Sequence, residues 1–178
     1  MEFIHVVNNR REISSFTEQS IPKEIIEEIL EVAWLSPTGN NLPSREFIVV
    51  KDRVMLDHLA NTTPYMPWLK EANAGIVITG RLSVGKYWIQ DSSIASGYIW
   101  LAAVNAGLGC AFGAVFNAVD EVESEQREAY VRNALNIPKD RRVLTILGLG
   151  YAKEKPNKKD MISKNEIIYF DSFRSKND

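Results

Sequence analysis

From Tyr87 to Ala106 the chain carries a helical pattern that is polar at Gln90-Asp91-Ser92-Ser93 and then apolar almost all round. No other feature constrains the fold as much. A helix that is apolar on every side has no solvent face, so it must run through the centre of the structure or pack on another chain. At 178 residues, 45% hydrophobic and 25% charged, the sequence matches one ordinary globular domain with a substantial core. Residues 1–178 are therefore expected to form a single domain built around that helix.

The remaining elements follow from periodicity. A short helix is predicted before Arg10. Pro22 opens the next, because a first-turn proline gives up an N–H that would be unpaired anyway. Ile25, Ile26, Ile29, Leu30, Ala33 and Trp34 then recur at helical spacing, and Ser36-Pro37 stops the run. Phe47-Ile48-Val49-Val50 and Gly75-Ile76-Val77-Ile78-Thr79 are short β-rich runs, with a short helix over Val54 to Ala60 between them. Ala111 to Val115 and Val143 to Leu149 read as buried strands separated by a charged helix from Val119 to Leu135. Pattern alone gives an α+β fold with a small sheet and a dominant central helix. No repeat, low-complexity segment or linker divides it. After Tyr151 the chain turns Lys-rich up to Lys164, and Ile167, Ile168, Tyr169, Phe170 and Phe173 follow. Residues 152–178 read as an extended arm whose apolar end must dock somewhere, a partner subunit being one option.

Composition excludes several functions. A net charge of −2 leaves no basic footprint for nucleic acid. Cys110 is the only cysteine, so there is no internal disulfide and a reducing compartment suits the chain. Met1-Glu2-Phe3-Ile4-His5 does not resemble a signal peptide. The most apolar stretch, Ile94 to Val104, falls short of the roughly 20 residues of a membrane span. A cytoplasmic protein is expected, and the Asn61-Thr62-Thr63 sequon is then coincidental. His5 and His58 lack metal-ligand spacing, no nucleophile elbow is present, and Cys110 reads as a small core residue. Trp34, Trp68, Trp88 and Trp100 read as core, with Trp68 alternatively bordering a pocket.

Three segments could carry chemistry. Arg10-Arg11 follows the first helix, where guanidinium groups can fork around a phosphate; a solvated basic pair is the plainer reading. Thr38-Gly39-Asn40-Asn41 joins a helix to a strand, and its small and amide-bearing residues let backbone approach a planar ligand; a simple turn has the same composition. Gly107-Leu108-Gly109-Cys110-Ala111-Phe112-Gly113 suggests a dinucleotide loop but fails it. Its third glycine is one residue late, and it runs from helix to strand where that fingerprint runs from strand to helix. A helix C-cap at Gly107 is the better local account.

Taken in order, with the Lys158-Lys159 pair near the C-terminus, these segments resemble the FMN-dependent nitroreductase family over nearly the whole chain. Trp88-Ile89-Gln90-Asp91 entering the central helix is one residue shorter than a Trp-x-x-x-Asp stretch of one subgroup, and Lys159-Asp160 before Tyr169-Phe170 points the same way. The resemblance implies an α+β fold with a small mixed sheet packed by helices around the long helix. It implies a homodimer with exchanged C-terminal arms and FMN at the interface. In that family FMN takes hydride from NADH or NADPH and passes electrons, by ping-pong chemistry, to a nitroaromatic, quinone or similar acceptor; no catalytic side chain is implied, because flavin N5 carries the reaction. By resemblance Arg10 and Lys159, helped by Arg11, hold the phosphate. Pro37, Thr38, Gly39 and Asn41 line ribityl and ring, largely from the partner chain. Gly113, Ala114 and Val115 present backbone to the N5–O4 edge, Ser14 falls near the N1–O2 edge, and Glu12 belongs to the cofactor-binding set, where it would repel the phosphate if it points inward.

This chain departs from the family pattern at named positions. Glu12 stands where Ser is usual, and Ser14 where a cation normally faces the N1–O2 edge. Arg45, at a frequent Trp position, is the candidate to compensate. Pro43 replaces a frequent Gln, Met161 a phosphate-binding Arg, and Ala114 a common Gly. These changes motivate an alternative, a non-catalytic flavin-binding or regulatory homodimer; a purely structural dimer and a flavin-dependent dehydrogenase or dehalogenase on the same fold are further readings. Substrate contacts fall on variable loops, with Tyr65 and Trp68 in the stretch from Asn61 to Lys70 as candidates for stacking.

Overall fold

A computed structural model describes residues 2–154, 157 and 160–173. Five helices, α1 (Phe3–Asn9), α2 (Lys23–Leu35), α3 (Arg53–Leu59), α4 (Trp88–Asn105) and α5 (Glu121–Leu135), surround four strands, β1 (Arg45–Val50), β2 (Ala74–Arg81), β3 (Gly109–Ala114) and β4 (Arg141–Gly150). Each element falls within a few residues of its predicted place. Pro22 is the residue preceding α2, and Asp52 and Asp120 start α3 and α5 by accepting the Met55 and Glu123 N–H groups.

The strands lie in the order β1-β2-β4-β3, and every pairing between them is antiparallel. The parallel component expected of a mixed sheet comes down, among the described residues, to the bridge between Glu12 and Cys110. The central strands are covered on both faces, which explains why they read as nearly unbroken apolar runs. Ala74, Ile76 and Ile78 of β2, with Leu147 and Leu149 of β4, face α2 and α4. Val77, Val143 and Ile146 point the other way, toward α3, α5 and the Pro67–Lys70 turn.

Helix α4 is central, as its pattern demands. It buries Trp88, Ala95, Ile99 and Ala103 on the sheet side, while Ile89, Ile94 and Tyr98 on the other side are 37–42% exposed. A groove of about 490 Å³ runs between α1, α2 and α4, lined by Phe3, Val6, Val32, Tyr98 and Leu101. Past Ala152, which bridges to Phe16, residues 160–173 are exposed along their length.

The tryptophans correct the expectation in part. Trp88 and Trp68 are buried, Trp100 is half-buried, and Trp34 is 68% exposed. Trp34 follows Ala33, which is on the inward stripe, so one helical step of about 100° carries it off that face. Trp68 takes the core reading. It packs beneath the sheet, where a Cβ on Gly148 would meet its ring at 2.4 Å, and its indole N–H donates to the Tyr65 carbonyl.

Candidate functional site

The first part of the site is the edge of β3. Ile13 N–H donates to the Cys110 carbonyl (3.1 Å), and Phe112 N–H donates to Glu12 Oε1 (2.9 Å). Cys110 and Phe112 therefore turn their backbone groups away from β4. Polar groups alternate sides along a strand, so Gly113 and Val115 face β4 and Ala114 faces outward. Val115 agrees, since its N–H donates to the Leu144 carbonyl at 3.0 Å. That carbonyl is available because the β2–β4 pairing skips Leu144, passing from Ile78–Thr145 to Thr79–Val143. It also accepts from Phe116 N–H at 3.1 Å. Of the three backbone groups expected at the ring, only the Ala114 N–H points off the edge. Gly113 is locked from behind: its carbonyl accepts from Thr145 Oγ1 (2.8 Å), and a Cβ there would sit 2.0 Å from Met66 Sδ.

Arg10 and Glu12 flank this edge. The Arg10 guanidinium stacks 4.8 Å over the Trp100 ring, and Trp100 in turn lies near-parallel to Phe112 at 6.2 Å. The Trp100 indole donates to the Arg11 carbonyl (3.3 Å), pinning the segment to α4. Among the described residues Arg10 makes no ion pair. Arg11 is more committed, donating to the carbonyls of Asn8, Arg10 and Asn157. Ser14 is exposed. Burial pushes the Cys110 thiol well up, with Glu12 adding to the shift and Arg10 opposing it, so Cys110 is a core residue and no nucleophile.

The second part is the loop between α2 and β1. Gly39 N–H donates to Asp91 Oδ1 at 2.9 Å, and the Ser44 hydroxyl donates to the other oxygen of the same carboxylate. Asn40 and Asn41 both take φ of 56°, the left-handed region that Asn tolerates better than most residues. Pro37 and Asn41 are exposed, and Thr38 and Gly39 are half-buried.

Arg45 is placed differently from the expectation. Its guanidinium turns into the C-terminal end of α2, donating to the carbonyls of Ala33, Trp34 and Ser36 and to the Ser36 hydroxyl. A helix C-terminus carries partial negative charge and unpaired carbonyls, and this cation satisfies both. Burial lowers the Arg45 pKa, and the Asp91 charge offsets part of that. Within its own chain Arg45 therefore acts as a helix cap.

Asp91 went unassigned in the sequence, where it appeared only as part of a subgroup pattern. Its partners lie 52 and 47 residues away, so no local spacing could announce them. Lys159, together with Lys158, lies outside the described residues; Met161 is 72% exposed.

One chain does not bring the two parts together. Asp91 and Trp100 are nine positions apart on α4 (91 to 100), about 13 Å at the helical rise of roughly 1.5 Å per residue.

The Nitroreductase family model matches residues 7–64. A protein of Methanothermobacter thermautotrophicus, whose name assigns it provisionally as an NADH dehydrogenase/NAD(P)H nitroreductase, is 31% identical over 170 residues, covering 94% of this chain and 86% of its own. The solved FMN-dependent nitroreductase of Clostridium difficile matches with a TM-score of 0.88 at 30% identity, over 96% of this chain and 99% of that one. An iodotyrosine deiodinase of Hydra vulgaris is 21% identical over 96% of this chain and 73% of its own. With this α+β architecture and a relative of 31% identity spanning nearly its whole length, the chain belongs to the nitroreductase family.

Proposed function

We propose that this protein is an FMN-dependent oxidoreductase that draws on NAD(P)H to reduce a nitroaromatic, quinone or similar electrophile in alternating half-reactions. One observation carries the reading: Arg10, a cation with no ion-pair partner among the described residues, and an outward backbone donor, Ala114 N–H, share one open rim beside β3. That combination fits a ligand with a phosphate at one end and a flat, hydrogen-bonding ring at the other. The chemistry FMN supplies when bound is two-electron transfer from the nicotinamide to the acceptor.

The chain's own residues bind and orient. Arg10, with Arg11 and Lys159, holds the phosphate. Ala114 donates its N–H to the ring edge, with Gly113 and Val115 fixing that strand from behind. Pro37, Thr38, Gly39 and Asn41 line ring and ribityl from a partner chain, because in their own chain they sit at the far end of α4. A homodimer follows, with the apolar groove between α1, α2 and α4 and the exposed 160–173 arm as its contact surfaces. A reducing, cytoplasmic setting suits the lone, buried Cys110; no helix among the described residues is long and apolar enough to cross a membrane.

Glu12 and Ser14 favour a second reading, a flavin-binding protein without turnover. A carboxylate on the rim and a hydroxyl in place of a cation both disfavour negative charge on a reduced ring. The test is the visible absorption spectrum after loading with FMN and desalting, followed by NAD(P)H oxidation with a nitro or quinone acceptor. Retained flavin with steady turnover supports the enzyme. Retained flavin without turnover supports the second reading, and a colourless protein sinks both.

A further inference from the structure

We propose that Asp91 is a positioning residue: it holds the loop from Gly39 to Ser44 in the shape in which Thr38, Gly39 and Asn41 meet the flavin, an inference that rests on the function proposed above. Asp91 is 3% exposed. Its two oxygens grip the two ends of one loop, Oδ1 taking the Gly39 N–H at 2.9 Å and Oδ2 the Ser44 hydroxyl. Both donors are neutral, and among the described residues Asp91 forms no salt bridge. A carboxylate buried in this way survives only if its hydrogen bonds are supplied. Loop and carboxylate therefore depend on one another.

The loop needs that support. Its two central residues, Asn40 and Asn41, are both left-handed, and consecutive non-glycine residues rarely stay there unaided. Around its left-handed centre the internal bonds are long, Asn41 N–H to Thr38 and Leu42 N–H to Gly39, both at 3.2 Å, while the Ser44 end is also held by Ser44 N–H to Leu42 (2.8 Å) and Arg81 N–H to the Ser44 carbonyl (2.7 Å). The ends are also seated sterically: a Cβ on Gly39 would stand 2.6 Å from Tyr87 Cδ2, and one on Gly85 2.7 Å from Ser44 Cβ. Asp91 lies in the first turn of α4, where the helix N-terminus favours a negative charge. It touches no reacting atom and acts through the loop.

The test compares wild type and Asp91→Asn by amide hydrogen exchange on flavin-free protein, then by FMN titration and the visible circular dichroism of bound flavin. The expected result is exchange at least tenfold faster across residues 36–45 with β2 and β4 unchanged, about tenfold weaker FMN binding, and an altered flavin dichroism band. Unchanged exchange in that segment, or acceleration spread over the whole protein, overturns the proposal. Loosening confined to the loop in a protein whose wild type takes up no FMN upholds the clamp and overturns the proposed function instead. Ser44→Ala, which removes one of the two bonds and leaves the carboxylate, gives the same reading in weaker form should Asp91→Asn fail to fold.

Discussion

Two carboxylates are buried in this molecule on opposite sides of the sheet, and they are held in opposite ways. Glu128, on α5, is fully buried. It accepts from Arg142 Nε (2.8 Å) and from a second Arg142 nitrogen (2.7 Å), from Val143 N–H (2.8 Å) and from Ser124 Oγ (2.9 Å), with Arg132 at 3.7 Å. Arg142 is itself stacked on Phe116 at 4.9 Å. Asp91 has two neutral donors and no salt bridge among the described residues, and the Arg45 cation acts on it without direct contact. The first arrangement neutralises charge and ties a helix to a strand. The second directs the carboxylate's hydrogen bonds to the two ends of a loop. Buried charge serves stability in one place and geometry in the other.

The largest effect should come from breaking the first arrangement. Glu128→Gln leaves Arg142 without its hydrogen-bonded counter-charge, while Arg132 keeps Glu125, and is expected to cost about 3–5 kcal/mol, measured by urea unfolding, with the site rim unmoved. Acid probes the same group. Burial alone would push Glu128 up, but the Arg142, Val143 and Ser124 hydrogen bonds outweigh it and hold its pKa below the ordinary glutamate value. A depressed native pKa means its contribution is present above the ordinary glutamate range and is lost as pH falls through that range and the native value. A pH series of unfolding midpoints should show that loss in wild type and a flatter acid limb in Glu128→Gln.

On the Asp91 side, Arg45→Ala should cost about 2–3 kcal/mol by freeing the α2 carbonyls, while the potential of bound flavin stays at the wild-type value. A shift in potential would mean Arg45 reaches the ring after all. Arg10→Ala should change stability by about 0.5–1 kcal/mol through the lost Trp100 contact and weaken FMN binding roughly ten- to a hundredfold. The smallest effect is expected of Glu12→Gln, within about 0.5 kcal/mol in stability. Removing that negative charge should raise the flavin potential; an unmoved potential would place Glu12 away from the ring.

Much of this was legible in the sequence wherever the signal is local. The all-round apolarity of α4 required a helix central to the fold or packed on another chain, and α4 is central, with Ile89, Ile94 and Tyr98 left exposed on its other side. Turn chemistry marked Gly39 to Asn41, and residue order carried the family. What escaped depends on contacts between distant segments. Asp91 reads as one more polar residue until Gly39 and Ser44 are seen on it. Arg45 invited a role at the ligand because its type was unusual, whereas the α2 carbonyls that claim it lie 9–12 residues back, on the far side of a turn. Trp68 read as core and is core, but the glycines at 113 and 148 that leave the space it fills were not legible as its partners.

The short run of Glu12 and Ile13 against β3 has a consequence for the protein in crowded solution. An edge strand with unpaired N–H and C=O groups invites another chain to add itself. Here Ile13 claims the Cys110 carbonyl and Glu12 the Phe112 N–H, and the strand ends at Ala114. On this side of the sheet the open edge is thereby cut to a short stretch around Ala114, enough to meet a small ligand, and β1 is left as the longer edge.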